Sequence, residues 1–110
     1  MEEVKRDFPD LEKFQQMSTE DKVRLFTSLS IPAQKLLIAC SAFASSVSPE
    51  MARPVARLSP EDFEEAKTSL LSTPYFSIIP NGRLLMADKM KEFIKTDLKR
   101  VWEEQKREGI

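Results

Sequence analysis

Apolar residues recur at three- and four-residue spacing over most of the chain, which indicates amphipathic helices. The first two are predicted within residues 10–30, where Asp10 and Ser18 are suitable N-caps. A three-helix, helix-turn-helix core is predicted at residues 32–71. A long helix is predicted at residues 88–108, and its apolar stripe consists of Met90, Phe93, Ile94, Leu98, Val101 and Trp102.

Three serine-proline signals divide the predicted core into helices, because serine is a good N-cap and proline suits the first helical turn. The second signal, Ser48-Pro49, opens a helix that meets Pro54 five residues further on. Proline lacks the backbone donor that a helix interior needs, so we expect a short helix broken near Arg53. The third signal, Ser59-Pro60, opens a helix with Phe63, Ala66 and Leu70 facing inward.

Residues 75–86 are predicted to form a β-hairpin with a three-residue loop. A two-residue Asn-Gly turn would pair Pro80 with Arg83, where proline could not donate to the ladder. A loop of Pro80, Asn81 and Gly82 avoids this problem, because glycine takes the left-handed position. This register pairs Ile79 with Arg83.

Alternation along the two strands then assigns the hairpin two faces. One face is wholly apolar and is predicted to be buried on the helices, since an isolated hairpin is marginal in water; it carries Phe76, Ile78, Leu84 and Met86. The other is a mixed face, either solvated or docked onto a partner, with Tyr75, Ser77, Ile79, Arg83 and Leu85.

Three helices followed by a hairpin have the layout of a winged helix-turn-helix. Residues 34–94 contain an apolar helix ending in Ala-Phe, a serine-proline start, an acidic helix ending in two leucines, and a hairpin leading to a helix. This stretch resembles the winged-helix domains that follow the ATPase core in AAA+ and STAND-type nucleotide-binding proteins. The chain has no phosphate loop of the G-x-x-x-x-G-K-[ST] kind, so nothing of nucleotide hydrolysis is carried over.

The expected fold class is therefore mainly α with one β-hairpin, a winged helix-turn-helix extended by N-terminal helices. A charged N-terminal arm is expected at residues 1–9, and one domain at residues 10–110. The chain has 110 residues, 41% of them hydrophobic and 32% charged, which is typical of a soluble domain with its own core. No stretch is long and apolar enough to span a membrane, and the charged N-terminus with a single cysteine favours the cytoplasm.

The charge pattern disfavours DNA binding through the last core helix. Its outward residues are predicted to be Glu61, Glu64, Glu65 and Thr68, which would place three carboxylates against phosphates. The alternative to a protein-interaction role is a small DNA-binding regulator of transcription or replication, whose contacts would be Arg53, Arg57, Lys67 and Arg83.

Lysines recur at four-residue spacing on the last helix, at positions 91, 95 and 99. They could form a strip for an acidic partner or for phosphate. We favour a solvated face, because acids and bases nearly cancel between residues 88 and 110.

The residue types also argue against catalysis. The chain has no histidine, and Cys40 lies in an apolar run that suits a buried, inert thiol. We expect no catalytic, cofactor or metal site. The leading hypothesis is a non-enzymatic interaction or assembly module that binds a protein partner or a second copy of itself through Tyr75, Ile79, Arg83, Leu85 and Trp102.

Overall fold

The computed structural model describes residues 8–43 and 45–108. Most of the predicted N-terminal arm, residues 1–7, lies outside this range. In the described residues the fold is mainly α with one two-stranded antiparallel hairpin, which confirms the prediction of a mainly α fold with one β-hairpin. The elements are α1 (Leu11–Gln16), α2 (Thr19–Thr27), α3 (Ile31–Ser41), α4 (Pro49–Ala56), α5 (Pro60–Leu71), β1 (Phe76–Ile78), β2 (Leu84–Met86), α6 (Asp88–Glu92), a π-helical segment (Phe93–Leu98) and α7 (Lys99–Glu108).

Side-chain caps fix the starts of four helices. In each, the cap oxygen accepts a hydrogen bond from the backbone N–H three residues later, at 2.9 to 3.3 Å, and the caps are Asp10, Ser18, Ser30 and Ser59. The cap satisfies a donor that the first turn of a helix leaves without an internal partner. The predicted starts at residues 10 and 18 are thus confirmed.

The predicted break near Arg53 is wrong, because α4 runs through Pro54 to Ala56. Pro54 removes the bond that its N–H would give to the carbonyl of Glu50. Glu50 and Pro54 are both exposed, so water can reach that carbonyl. The helix ends instead at Arg57, which has a left-handed conformation at φ 58°.

The hairpin has the predicted register and the predicted three-residue loop. Ile78 pairs with Leu84, and the N–H of Ile79 donates to the carbonyl of Arg83 at 3.0 Å. Gly82 has φ 86°, the left-handed conformation expected of it.

Two residues depart from the predicted hairpin faces. Ile78 was expected in the buried face but is 39% exposed, because it lies on the outer strand. Tyr75 was expected on the mixed face but is only 1% exposed, because it precedes β1 and turns into the core beside Phe14, 5.3 Å between ring centroids.

A third backbone segment joins the hairpin. The N–H and C=O of Val47 both bond to Leu84, at 2.9 and 2.7 Å, so β2 lies between Val47 and β1. Val47 belongs to the connection between α3 and α4. The bridge therefore ties that connection to the hairpin.

The C-terminal helix is continuous but contains the π segment, which periodicity did not predict. Met90, Ile94, Leu98 and Trp102 follow one another at four-residue steps, and each step drifts by about 40° around an α-helix. A turn with i→i+5 bonding contains more residues than an α-helical turn, so it reduces that drift. Met90, Ile94 and Leu98 accordingly all lie on the buried side of the helix. The hydroxyl of Thr96 also donates to the carbonyl of Glu92 at 2.6 Å, which competes with the regular helix ladder.

Helix α3 is the centre of the core. It packs against α4, α5, β2 and the C-terminal helix, and Leu36 and Leu37 have no exposed surface. The C-terminal end of α3 emerges beside the π segment and α7. That junction forms a concave surface.

Candidate functional site

A groove with a volume of about 820 Å³ lies between the end of α3 and the C-terminal helix. We call it the C-terminal groove. One wall comes from α3 and the other from the π segment and α7, and the lining residues are Ile38, Ser41, Ala42, Ile94, Lys95, Lys99, Trp102 and Glu103. Its surface is mainly apolar, with charged side chains at the rim.

The α3 wall combines the apolar side chain of Ile38 with two small residues, Ser41 and Ala42. Ser41 is 5% exposed, and its hydroxyl donates to the carbonyl of Ile38 at 2.6 Å. Ala42 follows as the exposed C-cap residue of α3. The Ser41 hydroxyl is therefore already paired within the chain and does not lose a water partner when this wall is covered.

Trp102 forms the opposite wall. Its ring lies edge-on to Phe26, with 6.2 Å between ring centroids, and the residue keeps 39% of its surface exposed. One side of the indole is thus fixed by the core while the other is open to the groove. An aromatic ring held in this way loses little conformational freedom when it binds, which is typical of interface hot spots.

The rim of the groove is mostly positive. Lys95 and Lys99 are exposed on one side, and Glu103 is exposed one turn beyond Lys99. Lys91, the first lysine of the predicted strip, is half-buried and donates to the carbonyl of Phe43 at 3.0 Å. The strip is therefore divided: its first member secures the end of α3, and the other two line the groove.

The structure does not bring the five predicted protein-contact residues together. Trp102 lies at the groove, whereas Leu85, 38% exposed, lies on the outer face of the hairpin. Ile79 is half-buried. The assignment of Tyr75 to a free surface is wrong, because its side chain is buried.

Arg83 is also less free than the sequence suggested. Its guanidinium donates from Nε to the Ser46 hydroxyl at 2.9 Å and from Nη2 to the Ser46 carbonyl at 2.8 Å. Two directed bonds hold the side chain against the connection that carries Val47. Arg83 thereby positions the hairpin on the α3–α4 connection.

The four residues predicted for DNA contact do not form a free basic surface. Lys67 bonds to Glu64 at 3.1 Å, lies 5.3 Å from the centre of the Phe63 ring and keeps only 22% of its side chain exposed. Arg53 lines a shallow depression that also contains Glu50 and Glu64. The remaining two are Arg57, exposed at the end of α4, and Arg83, bonded to Ser46.

Two buried groups have shifted acid–base properties without forming a reactive site. Burial raises the pKa of the Cys40 thiol to about 11, although the charge of Lys91 partly opposes this. Burial, with a smaller contribution from the charge of Asp10, raises the pKa of Tyr75 to about 12. Both groups stay protonated near neutral pH, so neither is activated as a nucleophile. Among the described residues, no group of three carboxylates or thiols is placed to hold a metal ion.

The C-terminal groove is the feature that sequence reasoning missed. Ile38 lies beside the apolar stripe of α3, and Ala42 follows it by one turn, which was the available signal. The other wall depends on how the π segment turns, and helical periodicity does not contain that information.

Comparison with family models, with curated proteins and with solved structures finds no significant match to this chain. In residues 8–43 and 45–108, no helix has both the length and the apolar character required to cross a bilayer.

Proposed function

We propose that this chain is a non-enzymatic winged-helix module that binds another protein, and that the C-terminal groove is its docking surface. The observation that carries the proposal is Trp102, a residue that is 39% exposed, packs against Phe26 of the core and lines an apolar groove. Apolar, concave surfaces with an exposed aromatic residue are characteristic of binding sites.

The chain order supports the winged-helix part of the proposal. A winged helix contains three helices and a hairpin, as do α3, α4, α5 and the pair β1–β2. The bridge between Val47 and Leu84 joins the hairpin to the connection between the first and second of these helices. α1, α2 and the C-terminal helix then extend this unit.

The alternative of a DNA-binding regulator has weaker support. The exposed residues of α5 include Glu61, Asp62, Glu64 and Glu65. DNA affinity depends on neutralising phosphates with lysine and arginine, and carboxylates on the inserted helix oppose it. Of the predicted basic contacts, Lys67 and Arg83 bond to other residues of the chain.

The first test separates protein binding from DNA binding. Fluorescence anisotropy of a labelled DNA duplex, measured at about 50 mM and about 200 mM salt, should show only weak binding. Tight binding that weakens steeply with salt would contradict the proposal.

The second test locates the protein contact. The wild-type chain, Ala42→Arg and Val55→Arg serve as baits in affinity capture from the native source. Ala42→Arg blocks the groove, whereas Val55→Arg adds the same side chain to α4, where Val55 is 50% exposed. We expect a protein retained by the wild type and by Val55→Arg to be lost with Ala42→Arg. Loss with neither variant, or equally with both, would exclude the groove as the docking surface.

A further inference from the structure

We infer that the occupant of the C-terminal groove is an amphipathic helix of a partner protein, with acidic residues beside its apolar stripe. This inference rests on the proposed docking function and specifies the chemistry of the partner.

The groove suits the side chains of one helix. Its volume of about 820 Å³ is in the range of ordinary ligand-binding clefts. Its walls are themselves two helices, and the gap between them accepts the apolar residues that a third helix presents at successive turns. Ser41 and Ala42 leave room for the backbone of such a helix to come close to α3.

The charged residues at the rim indicate which charge the occupant should carry. Lys95 and Lys99 are one turn apart, and Glu103 is the one acidic residue among the described residues that line the groove. Among the described lining residues two lysines thus stand against one glutamate, which favours an acidic partner, although the whole chain has a net charge of −1.

The acidic helix of this chain, α5, does not have the features expected of the occupant, so it would not fill the groove of a second copy. α5 carries the acidic residues, but its apolar residues Phe63, Ala66 and Leu70 are buried in the core. Its exposed face therefore has the charge but carries one large apolar residue, Leu71 at its last position, rather than an apolar stripe. The partner must supply both on one helix.

The chain contains its own reporter for a direct test, because Trp102 is its one tryptophan. The probes are two synthetic peptides of about 18 residues, long enough to form a helix, with the same leucine stripe and without tryptophan. One has glutamates on both sides of the stripe, and the other has lysines at the same positions. Binding is followed by the emission of Trp102 and by the anisotropy of a label on the peptide.

We expect the glutamate peptide to bind at least about tenfold more tightly than the lysine peptide and to shift the Trp102 emission. The double variant Lys95→Glu/Lys99→Glu should reverse this preference. The matched control, Lys13→Glu/Lys89→Glu, changes the net charge equally at two exposed lysines that do not line the groove, and should keep the wild-type preference.

Each outcome decides between supporting and overturning the inference. Equal binding of the two peptides would overturn the inference that the partner is acidic, while the proposal that the groove is a docking surface would stand. Binding of neither would also overturn the inference, while the proposed function would still be judged by the DNA titration and the capture experiment. Sedimentation of the chain alone tests a second copy: a dimer that Ala42→Arg dissociates would show that the groove is occupied by this chain itself.

Discussion

The hydroxyl of Tyr75 donates a hydrogen bond to the carbonyl oxygen of Pro9, 2.6 Å away and 66 residues earlier in the chain. Phe8 and Phe14 pack around the same ring, at 6.3 and 5.3 Å between centroids. The residue that leads into the hairpin thus also holds the segment that leads into α1. One side chain connects the N-terminal helices to the hairpin.

Removal of the Tyr75 hydroxyl should weaken this connection without creating a cavity in the core. Tyr75→Phe keeps the ring packing and leaves the Pro9 carbonyl without its donor, which should cost about 1 kcal/mol of unfolding free energy. Urea denaturation followed by circular dichroism measures the cost. Ser77→Ala is the control, since it removes an exposed hydroxyl from the neighbouring strand. An equal effect of both variants would contradict a specific role for the Tyr75–Pro9 bond.

Stability should fall at alkaline pH, and Tyr75 should account for part of the loss. In the folded chain the pKa of the Tyr75 phenol is about 12, above its ordinary value of 10.0. The pKa of the Cys40 thiol is about 11, above its ordinary value of 9.0. The unfolded chain therefore releases these protons first, and the unfolding free energy decreases as pH rises from 9 through 12. Denaturation at successive pH values should show a shallower decrease above pH 10 for Tyr75→Phe than for the wild type. An unchanged slope would mean that another group controls alkaline stability.

Substitution of Gly82 should lower stability only because of the backbone conformation at this position. It has φ 86°, and a Cβ built at this position meets nothing within 4 Å. Gly82→Ala should therefore cost about 1 kcal/mol or slightly more, entirely from the left-handed conformation. Gly82→Asn should cost less, because asparagine adopts that conformation more readily. Chemical denaturation of the three proteins gives the order, and equal stability of the alanine and asparagine variants would contradict the explanation.

Arg83 should be irreplaceable by lysine, since its two bonds to Ser46 need the planar guanidinium. Arg83→Lys should lower the unfolding free energy by about 1 kcal/mol or more. It should also speed hydrogen exchange at Val47 and Leu84, whose amides form the adjacent bridge. Arg53→Lys is the control, because Arg53 is exposed on α4. Unchanged exchange at both amides in Arg83→Lys would show that the hairpin is held by other contacts.

Sequence patterns predicted the features that local chemistry decides. Asp10 and Ser18 cap helices because of their own side chains, and Gly82 sets the hairpin loop because of its own backbone. The burial of Tyr75 and the bonding of Arg83 depend on residues 66 and 37 positions away, and no local pattern contains those partners. The walls of the C-terminal groove likewise come from two helices far apart in the chain.

Replacing an arginine within or at the end of α4 by glycine should have opposite effects on the unfolding free energy at two positions, Arg57 and Arg53. Arg57 has φ 58°, its N–H donates to the Pro54 carbonyl at 3.1 Å, and the N–H of Leu58 donates to the Arg53 carbonyl at 3.3 Å. This is the helix ending in which glycine is the preferred residue, because a side chain strains the left-handed conformation. Arg57→Gly should therefore raise the unfolding free energy by about 1 kcal/mol.

Arg53→Gly removes the same side chain and charge from the interior of the same helix, where glycine is unfavourable, and should lower the unfolding free energy by about 1 kcal/mol. Urea denaturation of the pair cancels the change in net charge, so the difference reports backbone conformation alone. Two variants that shift stability in the same direction would show that the arginine side chains, rather than the conformation of Arg57, determine the effect.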